Sequence, residues 1–133
     1  MKNVVDTVIQ TGNFKTLIQA LQETDLIDTL SVDGPFTIFA PTDEAFNKVP
    51  KEILNDLLKN KEKLTELVTY HVLLEKVTAK SLIKLSTAPT VNREKLSIDT
   101  SNGIRINDAR VIKTDIECSN GVIHVIDTVL IPN

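Results

Sequence analysis

Two histidines, one cysteine and a short acidic run are the residues of this 133-residue chain whose chemistry could support catalysis or metal binding. His71 lies in the stretch TYHVL and His124 in VIHVID, and neither belongs to an HxxxH or CxxC spacing. A three-histidine zinc site is excluded because the chain has only two histidines. A mixed site of both histidines with Asp43 lacks any ligand spacing, so we predict no metal and no cofactor.

The acidic run follows a proline in PFTIFAPTDEAF, residues 35 to 46. Thr42 is a residue type that caps helix N-termini, and Asp43 and Glu44 would then lie in the first helical turn, near its unpaired N–H groups. Two neighbouring carboxylates could also serve as a general acid and base if a cleft held them in different environments. Capping explains both carboxylates without a cleft, so we interpret the run as a junction between a strand and a helix.

Nucleophilic catalysis would need Cys118 beside a histidine, since the sequence has no GxSxG motif. If Asn120-Gly121 is a two-residue hairpin turn, Cys118 faces Ile123 across the strands and Glu117 faces His124. Cys118 and His124 then point to opposite faces, so this register predicts no Cys/His pair. A single cysteine forms no internal disulfide, and either a reactive thiol or a small buried apolar group fits it.

His71 is the more informative histidine. A helix predicted over residues 60–73 carries Leu64, Leu67 and Val68 on its buried side, which places His71 near its end and partly buried. A partly buried imidazole needs a polar partner. A carboxylate or a carbonyl would make the residue structural, whereas pairing with Asp43 would make a general-base pair.

The elements that position these residues change type along the chain. The predicted helices cover residues 3–13, 13–24, 24–35, 50–60, 60–73 and 78–85, with Asn3, Thr24, Thr42 and Thr78 as N-caps. FTIFA, residues 36–40, is short and apolar enough for a buried strand. From about residue 87 the hydrophobic period is two, with hairpin signals at Asn102-Gly103 and Asn120-Gly121. Helices followed by strands predict an α+β fold.

Composition excludes several classes of protein. With 41% apolar residues the chain can bury one core, so we predict a single domain over residues 1–133. A net charge of −3 and a pI near 5.3 argue against nucleic-acid binding. No apolar stretch reaches membrane-span length, and the N-terminus lacks a signal-peptide pattern. The four glycines are too scattered for a nucleotide-binding loop. We expect a monomer without membrane insertion.

Three segments together resemble the fasciclin (FAS1) domain: FTIFAPTDEAF, TYHVL and NGVIHVIDTVLIP, in that family's usual order. The resemblance spans residues 3 to 132. It implies an α+β fold in which N-terminal helices pack on a wedge-like sandwich of two β-sheets. It also implies a non-catalytic, secreted or cell-envelope domain that mediates cell adhesion or matrix attachment by binding a cell-surface or matrix protein or a glycan.

The resemblance also implies candidate site residues. In animal members a Tyr-His segment and an Asp-Ile pair have been proposed as integrin-recognition sequences, and the matching positions here are Tyr70 with His71 and Asp115 with Ile116.

The resemblance further implies that the aspartate after the first motif's threonine lies near the Tyr-His segment. We therefore predict that Asp43 or Thr42 hydrogen-bonds His71 and locks the strand-helix junction to the later helix. Two alternatives stay open: an enzyme that uses Asp43 and His71 as a general-base pair, and a purely structural domain of a larger surface protein.

Overall fold

The computed structural model describes residues 3–31, 34–91, 94–101, 103–107 and 109–130. Its helices are α1 (Val4–Thr11), α2 (Lys15–Glu23), α3 (Leu26–Ser31), α4 (Asp43–Asn47), α5 (Lys51–Lys59), α6 (Lys61–Thr69) and α7 (Ala79–Leu82). Its strands are β1 (Phe36–Pro41), β2 (Val72–Leu73), β3 (Thr87–Pro89), β4 (Lys95–Asp99), β5 (Arg105–Ile106), β6 (Ala109–Cys118) and β7 (Gly121–Ile126). All described helices precede β3 and five of the seven described strands follow α7, which confirms the predicted α+β class.

The first helices begin and end at residues whose side chains or backbone conformations suit a helix terminus. Asn3 caps α1 as predicted, because its side-chain oxygen accepts a hydrogen bond from the backbone N–H of Asp6. Gly12 ends the helix in the left-handed region, with φ of 81°. Thr24 was predicted to begin α3, and this is wrong: its hydroxyl donates back to the carbonyl of Ala20, so it ends α2.

The strands form one continuous mixed sheet in the order β2-β1-β7-β6-β5-β4-β3, where the resemblance implied two sheets. β1 pairs parallel with β7 and antiparallel with β2, and the other neighbouring pairs are antiparallel. The predicted buried strand FTIFA is the core of β1, and every residue of β1 and of β7 is buried. The first and the last of the three motifs therefore lie on neighbouring strands inside the sheet.

Alternate residues of β1 supply two hydrophobic clusters, one on each face. Ile38 lies in the first cluster, between the sheet and the helices, and Phe39 in the second. The second cluster also contains Leu96 of β4, from the far side of the strand order, so the sheet curls around it. The backbone N–H of Val91, after β3, donates to the carbonyl of Val72 in β2, which brings the two ends of the sheet together.

The helix predicted over residues 60–73 ends earlier, at Thr69. Val72 and Leu73 are strand β2, because they pair with Ile38 and Thr37 of β1. The helical spacing of apolar residues extends to Leu73. From Val72 onward, however, pairing with the buried strand β1 decides the conformation.

The hairpin between β6 and β7 differs from the predicted register. Cys118 pairs with Gly121, and Glu117 pairs with Val122, so the turn is Ser119-Asn120 and not Asn120-Gly121. The first residue of β7, Gly121, has to be glycine because a Cβ at this position would collide with the backbone carbonyl of Phe36 in β1. At the other hairpin signal, β4 and β5 pair antiparallel, and Asn102 itself lies outside the described residues.

Candidate functional site

His71 lies in the turn between α6 and β2, and only 2% of its surface is exposed. Its Nδ1 lies 2.7 Å from the carbonyl oxygen of Leu67, and its Nε2 lies 2.9 Å from the backbone nitrogen of Leu130. Because a carbonyl accepts and a backbone N–H donates, these partners assign the proton to Nδ1 and make Nε2 the acceptor. His71 therefore joins the end of α6 to the residues that follow β7.

The surroundings of the His71 ring are apolar. A cavity of about 10 Å³ next to it, at the lower limit for one water molecule, is lined by Val4, Val5, Val8, Leu17, Leu21, Leu30, Ile38, Val68 and Val72. Burial lowers the pKa of His71 to about 4, against the opposing effect of the hydrogen bond to Leu67. The imidazole is therefore neutral at pH 7.

The predicted hydrogen bond from His71 to Asp43 or Thr42 is wrong, because backbone groups use both ring nitrogens. Thr42 is the N-cap of α4, as predicted, and its hydroxyl oxygen accepts from the backbone N–H of Ala45 at 3.2 Å. The same arrangement removes the Asp43/His71 general-base pair. The junction between β1 and α4 is held instead by residues at the start of α2.

Asp43 has a partner in α2 instead. Its Oδ1 accepts a hydrogen bond of 3.0 Å from the backbone N–H of Thr16, in the first turn of that helix. Phe14 is the N-cap residue of α2 and makes no side-chain capping bond. The backbone N–H of Asp43 also donates to the carbonyl of Asn13. Asp43 therefore supplies the missing cap of α2 and ties that helix to the end of β1.

Tyr70 is also part of the interior. Only 5% of its surface is exposed, and its hydroxyl lies 3.3 Å from the carbonyl oxygen of Lys95 and 2.9 Å from the side-chain nitrogen of Asn107. The hydroxyl donates to the carbonyl and accepts from the amide. Tyr70 thus connects the helical part to β4, His71 connects it to the residues after β7, and neither ring is presented on the surface.

Asp115 lies where the pairing of β6 with β7 shifts register, and its backbone has φ of 57°, in the left-handed region. Its Oδ1 accepts a hydrogen bond of 2.9 Å from the backbone N–H of Ala79, the first residue of α7. Thr78 occupies the predicted N-cap position but makes no side-chain capping bond. Asp115 is exposed, whereas Ile116 is half-buried against the first cluster.

The role of His124 was missed by the sequence reasoning. Its Nδ1 accepts from the backbone N–H of Asp115 at 3.2 Å, and its Nε2 donates to the carbonyl of Val77 at 2.7 Å. The ring stacks on Phe39 and is fully buried, and burial lowers its pKa. A bulge in β6 brings the backbone N–H of Asp115 to His124. Because the bulge interrupts the two-residue period of the strand, the sequence pattern could not have predicted this contact.

Cys118 is buried in the first cluster, on the predicted apolar face with Ile123. Its Sγ lies 3.4 Å from the hydroxyl of Thr7, and burial raises the pKa of the thiol. Glu117 forms an ion pair of 3.2 Å with Lys76 and does not face His124, because the register differs from the predicted one. These contacts do not place the thiol beside a base.

Within the described part of the chain, no group of three or more His, Cys, Asp or Glu side chains could hold a metal ion. None of the described helices has the length and apolar character that crossing a bilayer requires. The polar residues brought together are therefore those of three hydrogen-bonded junctions: Asp43 with α2, His71 with the residues after β7, and Asp115 with His124 and α7.

The fasciclin domain family model matches residues 12–132. The chain belongs to the fasciclin domain family. The uncharacterized Synechocystis protein sll1735 is 41% identical over 98% of this chain and 98% of its own length. The transforming growth factor-beta-induced protein ig-h3 of Sus scrofa is 35% identical over 99% of this chain and 20% of its own length.

A solved structure shares the fold of this fasciclin domain. The FAS1 domain pair from the insect cell adhesion molecule fasciclin I superposes with a TM-score of 0.83 at 21% identity, over 98% of this chain and 51% of that chain. The match confirms the predicted FAS1 fold.

The surface of the fasciclin domain carries aliphatic and no aromatic side chains. All five aromatic residues of the chain are buried: Phe14, Phe36, Phe39, Phe46 and Tyr70. The large apolar side chains exposed among the described residues are Ile9, Ile53, Leu74, Ile83, Leu85 and Ile112. Contacts of this domain with other molecules therefore depend on aliphatic and polar groups and not on aromatic rings.

Proposed function

We propose that this fasciclin domain is a non-catalytic adhesion module, secreted or attached to the cell envelope, that binds a protein partner. The observation that carries the proposal is the use of its polar residues: His71, His124 and Asp43 are all taken up by hydrogen bonds to the domain's own backbone. No side chain of this set is directed at a substrate cleft. The fold shared with a domain pair from an insect cell adhesion molecule supports an adhesive role.

A protein partner fits the surface better than a glycan. Sugar-binding sites commonly stack the apolar face of a sugar ring on an exposed aromatic ring, and every aromatic ring of this chain is buried. Exposed aliphatic side chains next to charged ones suit a protein contact with an apolar centre and a polar rim. A glycan partner remains an outcome that the experiment below distinguishes.

The contact surface is proposed on strand β6. Tyr70 and His71 are buried and can act only by holding the fold. Asp115 is exposed on the same strand as Ile112, whose surface is 54% exposed, and as Lys113 and Thr114, which are also exposed. Ile116 lies beside them, half-buried. We call residues 112–116 the β6 surface.

The test is attachment of cells to the immobilised domain with two substitutions on the β6 surface. Asp115→Asn keeps an oxygen that can accept from Ala79, so it removes the charge without removing the cap of α7. Ile112→Thr removes exposed apolar surface. Ile53→Thr on α5 is the matched control, because Ile53 is exposed to a similar extent, 47%. Either β6 substitution should reduce attachment severalfold, and the control should not.

The nature of the partner is tested on the cell side. Treating the cells with protease should abolish attachment, while treating them with glycosidases should leave it intact. The opposite pattern would identify a glycan partner. Attachment that is absent, or equal for all variants, would favour a structural domain of a larger surface protein. Turnover of a broad panel of ester and glycoside substrates would contradict the non-catalytic role.

A further inference from the structure

The four residues that follow β7 are fixed at their two ends by different chemistry. At the start, the backbone N–H of Asp127 donates to the carbonyl of Arg110, whose own N–H donates to the Asp127 carboxylate, and Lys48 donates to the Asp127 carbonyl. At the end, the backbone N–H of Leu130 donates to Nε2 of His71. We call residues 127–130 the closing segment.

The closing segment covers both hydrophobic clusters. Val129 lies in the first cluster and Leu130 in the second, with 6% and 3% of their surfaces exposed. Its release would therefore uncover apolar surface on both faces of the central strands. The polar bond at its far end depends on His71 being an acceptor at Nε2.

We propose that His71 is an acid-sensitive latch whose protonation releases the end of the closing segment while its start stays attached. The carbonyl of Leu67 keeps the Nδ1 proton in place, so an added proton must go to Nε2. Nε2 would then be a donor directed at the N–H of Leu130, which is also a donor. Movement of Leu130 away from the ring removes that opposition and admits water to the charged imidazolium.

No charged group among the described residues makes protonation of the ring easier, because burial and the hydrogen bond to Leu67 alone shift its pKa. The described residues that line the cavity beside the ring come from six elements and carry no ionisable side chain: Val4, Val5 and Val8 of α1, Leu17 and Leu21 of α2, Leu30 of α3, Ile38 of β1, Val68 of α6 and Val72 of β2. The closed form therefore binds this proton poorly, and its pKa near 4 agrees with that. The open form binds it at an ordinary imidazole pKa, near 6.5.

The start of the closing segment keeps its anchor at the same pH. Burial raises the pKa of Asp127, but hydrogen bonds from the Arg110 backbone and the Thr128 hydroxyl outweigh this and hold the pKa below 3.8. The Asp127 carboxylate therefore stays ionised while the latch titrates. The hinge is expected at Thr128, between the anchor that holds and the latch that opens.

Native-state hydrogen exchange tests the latch. Because opening takes up one proton, its equilibrium constant should rise about tenfold for each pH unit between about 6 and 4.5. The protection of the Leu130 amide, corrected for intrinsic exchange, should fall by that factor. The amides of Asp127, bonded to Arg110, and of Ile98, bonded to Ser86, should stay more strongly protected than that of Leu130 at every pH, because they exchange only when the domain unfolds as a whole.

Two variants assign the effect to the ring. His71→Gln places a non-titrating acceptor within reach of Leu130 and should make the protection of that amide independent of pH. His124→Gln, the matched control at the other buried histidine, should keep the wild-type slope.

Three results would overturn the latch. These are constant protection of Leu130 across the pH range, protection of Leu130 equal to that of Asp127 and Ile98 at every pH, and an unchanged slope in His71→Gln. The first two are measured on the wild-type domain, so the proposal stays testable even if a variant does not fold.

Discussion

The carboxylate of Asp43 caps a helix that begins 28 residues before it. Its Oδ1 lies 3.0 Å from the backbone nitrogen of Thr16, in the first turn of α2, although Asp43 is itself the first residue of α4. One carboxylate thus lies near the N-terminal ends of two helices, where negative charge is favourable. The acidic run of the first motif therefore joins the helical layer to the central strand.

Replacing Asp43 should separate these two helix ends. Asp43→Ala removes the acceptor of the Thr16 N–H, and loss of a cap costs about 0.5–2 kcal/mol of unfolding free energy. Asp43→Asn keeps an acceptor and should cost less. The measurement is the urea midpoint at pH 7, and Glu44→Ala, an exposed acid in the same turn, is the control. Equal midpoints for Asp43→Ala and Glu44→Ala would contradict the capping role.

Asp115 should respond to substitution as a structural residue, whatever it binds. Asp115→Ala removes the acceptor for the Ala79 N–H at the start of α7. Alanine also tolerates a φ of 57° less well than aspartate does. We expect a loss of about 1–2 kcal/mol from the cap and the backbone together. Asp115→Asn keeps both properties and should be nearly neutral. If thermal unfolding shows the two variants to be equally stable, the cap contributes nothing.

The sequence predicted more of the fold than of the site. The caps at Asn3 and Thr42 and the strand FTIFA were predictable because local chemistry and local burial decide them. The partner of His71 was not, because a buried imidazole is satisfied equally well by a carboxylate or by backbone groups. The donor is the backbone N–H of Leu130, and a backbone group cannot be recognised from residue types. Distance along the chain hid the link between Asp43 and Thr16 in the same way.

Acid should destabilise the domain through its buried histidines. Above pH 6.5 His71 is neutral in both the folded and the unfolded state, so its contribution to stability is fully present. Below 6.5 the unfolded state binds the proton first, and stability is lost until the folded pKa, about 4, is reached. At about 1.4 kcal/mol for each pKa unit, the loss approaches about 3 kcal/mol. The lowered pKa of His124 acts in the same direction.

Urea unfolding at pH 7, 6, 5 and 4 measures this loss. His71→Gln should lower stability at pH 7 but flatten the dependence between pH 6.5 and 4. The carboxylates of Asp99 and Asp127, whose pKa values lie below 3.8, should contribute only at lower pH. A pH dependence that is identical in the wild type and in His71→Gln would mean that another group controls acid sensitivity.

The hairpin at the end of β6 shows why a correct motif can carry a wrong register. Asn-Gly is a strong turn signal, but Asn120 has a tertiary role. Its side chain accepts from the backbone N–H of Val4 and donates to the carbonyl of Leu30, so it fastens α1 and α3 to the sheet. Gly121 is needed for close approach to β1. Both residues make contacts with distant parts of the chain, which turn statistics do not include.

Gly121→Ala should therefore be among the most damaging single-carbon additions to this domain. The added Cβ would meet the carbonyl oxygen of Phe36, a backbone atom of the strand that pairs in parallel with β7, so no flexible side chain can move aside. Overpacking of this kind costs about 1–3 kcal/mol and sometimes more. The expected result is a large fall in the urea midpoint, together with loss of protection of the Phe36 amide, which donates to Asn120.

Gly103→Ala is the matched control for this prediction, because a Cβ there meets open space while φ is 77°. Its cost should come from the left-handed backbone alone, about 1–2 kcal/mol, with protection of the Phe36 amide unchanged. If Gly121→Ala were the milder of the two, the parallel pairing of β1 with β7 would have to tolerate a wider separation. The first and last motifs, on β1 and β7, would then be less tightly packed against each other than their parallel pairing indicates.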